Sequence, residues 1–290
     1  MKRKIGRTII YIFAVFWGMI TIFPLLITFL SSVKDNQGIN LGMFKLPEQW
    51  LWSNYAAAFE SAHIGRAVVN SVFLGIASTI VVTVIGMLAA YIISRKSFRL
   101  KGTVYALFMV GVMVPVHCTI IPVSSLATEV GGKNSFLFLT LIYVAFNLAQ
   151  AIFLYTGYLN GVDRELDEAA IIDGCDDIQL LFRVLFPVSI PIISTEAILV
   201  FIYGYGELIF SMLLLSDENK YTVSRAMLAF SGGYQQQLGP IFACIIVAVL
   251  PIDFIHIQCI INQTHQIFCR VIDLFQILHR FRRQIIKFQS

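Results

Sequence analysis

Charge is scarce in this chain of 290 residues: Asp, Glu, Lys and Arg make up 13% of it, while 58% is hydrophobic. An ordinary soluble domain carries about 25% charged residues, and the mean hydropathy here is +0.79. Long polar stretches are missing too, whereas uncharged runs of more than about 18 residues recur. These shortages exclude a soluble globular domain and point to an all-α polytopic membrane protein. The five cysteines (Cys118, Cys175, Cys244, Cys259, Cys269) lack any paired or metal-ligand spacing, so neither a disulfide framework nor a metal site is expected. A Gly-rich phosphate loop, a His-Glu-x-x-His helix and a nucleophile elbow are all absent. The chain is therefore read as non-catalytic, binding no cofactor and hydrolysing no ATP itself. Glycine is missing from Pro240 to Ser290, a length over which about 7% usage would place some three or four.

About six spans are present. Lys2, Arg3, Lys4 and Arg7 precede a run that is uncharged from Thr8 to Ser31, too long for a signal-peptide core, so it reads as a retained first span containing Pro24. Further spans are expected over 68–93, over 103–126 with Pro115, His117 and Pro122, over 136–158, over 190–215, and from Pro240 onward. Gly75 and Gly86, among Ala77, Ser78, Ala89 and Ala90, suit close helix packing. Asn147 and Gln150 are three apart and share a face, expected to point into the bundle. Glu196 and Glu207 are eleven apart, which in one continuous helix puts both carboxylates on one side. Trp50, Trp52 and Tyr55 suit the headgroup level.

One long polar stretch interrupts this pattern, from Asn160 to Pro187. Asp163, Glu165, Asp167 and Glu168 place negative charge at the start of a short helix, which Gly174 would stop in a left-handed conformation. Asp176 or Asp177 can cap a second helix, whose Ile178, Leu181, Phe182 and Leu185 fall on one α-helical face before Pro187.

Glu168-Ala169-Ala170, Asp173-Gly174, Phe182 and the Leu-Phe-Pro ending at Pro187 resemble the "EAA" cytoplasmic loop of permease subunits of binding-protein-dependent ABC importers. In order and spacing, Ser32-Val-Lys34, Leu46-Pro47, Asn54-Tyr55 and Asn70-Ser71 resemble the carbohydrate-importing, maltose-transporter-like branch. The segment Tyr205-Gly206-Glu207 resembles the family's fifth-span motif, with Gly206 standing where an amide is usual. The resemblance implies a permease domain over 1–251 with a coupling loop over 158–190. It also implies a second permease subunit, two cytoplasmic ATPase subunits that use ATP, an extracytoplasmic solute-binding protein and a sugar substrate. Glu168, Ala169, Ala170, Asp173, Gly174, Phe182 and Pro187 would contact or aim at the ATPase, while Asn147, Tyr205 and Glu207 are candidates for the translocation path. The outer loop over 216–238 would face the binding protein.

The resemblance ends near Pro251. Residues 252–290 form a basic tail with Arg270, Arg280, Arg282, Arg283 and Lys287, read either as frame-shifted or replaced, or as a divergent amphipathic segment on the lipid surface. Placing both termini inside assigns fifteen of the 21 Lys and Arg residues to the cytoplasmic side. That bias supports an inner-membrane protein with a cytoplasmic N-terminus and coupling loop, and it makes the positive charge topological rather than nucleic-acid-binding. An alternative from the residues alone is a secondary transporter using Glu196 and Glu207 as proton or cation carriers.

Overall fold

The computed structural model describes residues 2–230 and 237–254. Among these the regular structure is helical throughout, with no strand. The membrane-length elements are α1 (Lys2–Ser32), α4 (Ile64–Arg95) and α7 (Phe136–Asn160), with the short α2 (Asn36–Leu41) and α3 (Ser53–Glu60) between the first two. Three described helices are long and apolar enough to cross a membrane, or up to five if each bent pair counts as one span. The last described helix, Leu238–Phe254, is apolar but shorter. The expected frame-shifted or replaced tail lies, beyond residue 254, outside the described residues.

The chain divides into two compact units. One comprises Met1–Ser78, Val116–Tyr143 and Tyr203–Leu250; the other includes Thr79–Pro115 and Val144–Ile202.

In the first unit the segment after α1 is tied down by side chains. Lys34 is buried, and its ammonium donates to the carbonyls of Gly42 and Met43 at 3.1 and 3.2 Å. Asn54 donates to the carbonyls of Ser32 and Lys34, both at 2.9 Å. The Ser32 and Tyr55 hydroxyls share a 2.8 Å hydrogen bond. A Cβ on Gly239 would come within 2.5 Å of both Asn54 Nδ2 and Lys34 O, so only glycine fits against this knot. Asn70 donates to the carbonyls of Asn219 and Tyr221, and Ser71 Oγ accepts from the amide of Val223 at 2.9 Å. Ser32, Lys34, Asn54-Tyr55 and Asn70-Ser71 of the sequence resemblance are thus structural ties between the ends of the spans and their connecting loops, while Leu46 is exposed. No described side chain of α1 from Ile10 through Pro24 is buried within the chain, which leaves a helix apolar all round for lipid or another subunit to cover.

The expected third span is broken. α5 (Lys101–Met113) stops at Val114, which takes an extended conformation ahead of Pro115. A 3-10 turn over Val116–Thr119 then leads into α6 (Ile120–Glu129). Proline disfavours the helical region for the residue before it, so the break falls where Pro115 dictates. The following turn holds Gly131 and Asn134 at φ +67° and +57°. Asn134 Oδ1 accepts the amides of Ser216 and Asp217 at 2.6 and 3.0 Å, which explains why a non-glycine residue is kept in that conformation.

In the second unit α4 and α7 meet through small residues. A Cβ on Gly86 would lie 3.2 Å from Ala151 Cβ and 3.3 Å from the Tyr155 ring. The core around this contact joins Met87 and Tyr91 of α4, Tyr155 and Leu159 of α7, and residues of the polar loop described next.

Candidate functional site

The polar stretch folds as two helices, α8 (Glu165–Ile172) and α9 (Asp177–Val188). Three acidic residues, Glu165, Asp167 and Glu168, occupy the first turn of α8, where they complement the positive end of its dipole. Gly174 at φ +84° turns the chain, with the amides of Gly174 and Cys175 bonded to the carbonyls of Ile171 and Ala170, both at 3.0 Å. Asp176 opens α9 with a reciprocal capping box, accepting from the amide of Gln179 at 2.7 Å while the Gln179 side chain accepts from that of Asp176.

α9 is not a plain α-helix. Leu180–Leu185 is a π-helical segment, and this changes which side chains face inward. An α-helix would bury Ile178, Leu181, Phe182 and Leu185 together. In the wider turn Leu180, Leu181 and Leu185 are buried, while Ile178 and Phe182 are 70% and 43% exposed. Nor does Pro187 end the run: α9 continues through Val188, and the chain then bends by 79° into α10 (Ile190–Gly206).

α8 is similarly two-sided. Glu168, Ala169, Asp173 and Gly174 are exposed, as are Ile171 and Ile172 at 59% and 85%. Among the described residues the Glu168 carboxylate takes part in no hydrogen bond or ion pair within the chain. Ala170 is the exception in its motif. It is buried in the core of its own unit, so the expectation that it packs in a partner's cleft is corrected to an inward packing role.

Two consecutive basic residues at the end of α4, Arg95 and Lys96, hold this loop. Arg95 Nε lies 2.7 Å from Asp167 Oδ2 with side-chain exposures of 5% and 13%. Arg95 Nη2 donates to the carbonyl of Val162 at 3.1 Å, and Arg164 Nη2 to that of Ser94 at 3.4 Å. Lys96 Nζ meets the two oxygens of Asp177 at 2.6 and 2.7 Å in an exposed pair, and the Tyr91 hydroxyl donates to the same carboxylate at 2.9 Å. Hydrogen bonds from Lys96 and Tyr91 hold Asp177 below the usual carboxylate range. Burial pushes Asp167 the other way, against the pull of Arg95 and Arg164. The only signal for these pairings was a basic Arg-Lys pair at a span end in a chain with an acidic loop, which names no partners.

The candidate path residues fall in different surroundings. Asn147 is 8% exposed. Gln150 donates to Glu196 at 3.4 Å, and Glu196 is fully buried with Oε1 lacking a hydrogen bond among the described residues. In the other unit Tyr205 is 1% exposed and its hydroxyl donates to the Ala248 carbonyl at 2.8 Å, which makes it a packing residue in this conformation. The expected continuous fifth span over 190–215 does not form. α10 ends at Gly206, and a new helix, α11, covers Ile209–Leu214. Glu207 sits in the break, accepting the amides of Phe210 and Ser211 at 2.8 and 3.1 Å and the Tyr143 hydroxyl at 3.0 Å. The Gly206 carbonyl, freed from the helix, accepts from Ser224 Oγ at 2.8 Å. A Cβ on Gly206 would meet nothing within 4 Å. The shared helix face of Glu196 and Glu207 is therefore corrected: the helix that would carry both stops one residue short of Glu207.

Residues 82–257 match the family described as "Binding-protein-dependent transport system inner membrane component". The chain belongs to that family. It is a membrane-spanning permease subunit of an ABC importer and not an ATPase; importers of this kind work with an ATPase and a solute-binding protein. The permease is 30% identical over 244 residues to the diacetylchitobiose uptake system permease protein NgcG of Streptomyces coelicolor, covering 83% of this chain and 81% of that one. It is 29% identical over 260 residues to the multiple sugar-binding transport system permease protein MsmG of Streptococcus mutans, covering 88% and 93%. In fold it resembles a chain of a bacterial ABC transporter involved in the import of the acidic polysaccharide alginate, with a TM-score of 0.72, 17% identity and coverage of 88% and 95%. The family match runs six residues past Pro251, where the sequence resemblance was expected to stop. Membership of this family, with Glu207 engaged in capping α11, sets aside the reading of Glu196 and Glu207 as coupled ion carriers.

Proposed function

We propose that this permease forms half of the translocation pathway of a carbohydrate importer, together with a second membrane subunit, two cytoplasmic ATPase subunits and an extracytoplasmic sugar-binding protein. The N-terminus and the loop carrying α8 and α9 face the cytoplasm. Sugar as the substrate class is supported by relatives named for diacetylchitobiose and for multiple sugars.

The observation that carries the coupling role is the outward face of α8. An unpartnered carboxylate, Glu168, stands beside Ala169 and the exposed Ile171 and Ile172, while the opposite face is packed in the chain's own core. Exposed large apolar residues on an otherwise polar loop mark a docking surface. An ATPase cleft with a basic residue opposite Glu168 would match it by a charge-assisted contact. Ala169 allows close approach, Gly174 aims α8, Phe182 and Pro187 line the outer side of α9, and Asp173 adds a second exposed carboxylate. Glu207 at the α10–α11 break and Asn147 are the polar groups proposed for the path, since broken membrane helices place polar groups and free backbone where substrate passes.

The test is Glu168→Lys in the assembled transporter. Sugar uptake should fall by about tenfold or more, the scale of a lost buried charge contact, while the chain remains inserted. Wild-type uptake by a stable complex would overturn the coupling role.

A further inference from the structure

The loop packs against α4, α7 and α10, and the Tyr158 hydroxyl of α7 donates to the Val188 carbonyl at 2.9 Å, but among the described residues its ion pairs to the rest of its unit both lie at the end of α4. Arg95 and Lys96 are consecutive, yet they hold different halves of the loop: Arg95 pairs with Asp167 on α8, Lys96 with Asp177 at the start of α9. Around the buried pair the backbones are cross-tied, Arg95 to the carbonyl of Val162 and Arg164 to that of Ser94. Beneath it Met87 and Tyr91 of α4 share a core with Ala170, Leu181 and Leu185. By contrast the covalent route from α9 into α10 passes through a 79° bend flanked by Pro187 and Pro191. A bend of that size does not carry an axial push as a straight helix does.

From this geometry we propose that α4, gripped by the paired Arg95 and Lys96, is the membrane helix that receives the loop's movement, with Arg95–Asp167 as the positioning pair that fixes loop to helix. The inference rests on the reading of α8 as the ATPase-docking helix. Two ions taken out of water contribute little net stability, Asp167 Oδ1 has no hydrogen-bond partner among the described residues, and leaving one ion unpaired is costly. A pair of this kind suits the alignment of two helices better than it suits strengthening the fold. Lys96–Asp177 is exposed and screened by salt, so it is the weaker of the two ties.

The test measures uptake and ATP hydrolysis by the complete transporter in proteoliposomes, with ATPase copurification as a control. Arg95→Gln and Asp167→Asn should retain the ATPase but transport about tenfold less sugar per ATP, within the usual range of coupling strengths. The swapped pair Arg95→Asp with Asp167→Arg should restore most of that ratio, which a change in stability alone would not do. Single variants with the wild-type ratio would overturn the proposal, as would a swapped pair that assembles normally yet stays uncoupled.

A second measurement stands if the single variants fail to accumulate. Spin labels on Ser97→Cys and Glu165→Cys, in a chain with its native cysteines replaced, report the distance from the α4 end to α8. That distance should stay constant within about 2 Å between nucleotide-free and ATP-trapped states, the size of an ordinary helix shift. A larger change would show that the loop moves without α4 and would overturn the proposal. The two readings fail separately: if Glu168→Lys leaves uptake intact, the docking surface is wrong, whereas if it uncouples while the Arg95 variants do not, only the α4 linkage falls.

Discussion

Tyr143 donates its hydroxyl to Glu207 at 3.0 Å, and the same carboxylate caps α11 by accepting the amides of Phe210 and Ser211. A residue that by spacing alone would be one of two carboxylates along a helix is instead the group that lets the helix stop and restart. Three donors converge on it, so Glu207→Ala should lower stability by about 1–3 kcal/mol for the donors left unpaired. Glu207→Gln, which keeps acceptor capacity, should cost less. Thermal midpoints of the detergent-purified chain check both the sign and the order.

Gly174 has open space where a Cβ would go, so the cost of a side chain there is conformational rather than steric. At φ +84° an alanine should cost about 1–2 kcal/mol, and asparagine less. Because the glycine sets the direction of α8, uptake in the Gly174→Ala transporter should fall more than the amount of inserted chain does. Uptake normalised to immunoblot signal makes that comparison.

The packing of α4 gives a harsher prediction. At Gly86 an added Cβ would be 3.2 Å from Ala151, and at Gly204 it would be 3.1 Å from Ser78 Oγ and 3.3 Å from Gly75 Cα. Gly86→Leu and Gly204→Leu should each destabilise by about 1–3 kcal/mol or more through overpacking. Alanine at either site should be milder. Yield of monodisperse protein on size exclusion reads the effect.

The exposed tie between Lys96 and Asp177 should respond to pH. Asp177 is held below its unfolded value by Lys96 and Tyr91, so its contribution is complete above the ordinary carboxylate pKa and is lost as pH falls through the lowered one. The difference in Tm between the natural chain and Asp177→Asn, present at pH 7, should close on acidification below the ordinary Asp range. High salt should shrink the same difference at pH 7, since the pair is exposed. Melting curves over a pH and salt series test both.

Much of this architecture was legible in the residues. Uncharged runs located the apolar helices but not the breaks in the third and fifth segments, while Gly174 marked the turn, Asp176 one of two candidate caps, and the acidic first turn the start of α8. What failed did so for identifiable reasons. An α-helical period puts Ile178 and Phe182 on the inward face, but Leu180–Leu185 turns as a π-helix, so Leu180 replaces them on the buried face. A spacing of eleven puts Glu196 and Glu207 on one face only of a continuous helix, and this one ends at Gly206. Ala170 stands in a motif with exposed neighbours, yet one residue in a two-sided helix of eight faces inward. Arg95–Asp167 is a contact between distant segments, and no local pattern in a single sequence reports it.

α8 is the proposed surface through which ATP hydrolysis drives this permease, and Glu168 is its exposed, unpartnered charge. Sugar uptake by the reconstituted transporter carrying Glu168→Lys, measured beside its ATPase copurification, tests this most directly. Uptake reduced by about tenfold or more, with the chain still inserted, is the predicted result. Uptake equal to that of the natural chain, from a complex that holds its ATPase normally, would contradict it.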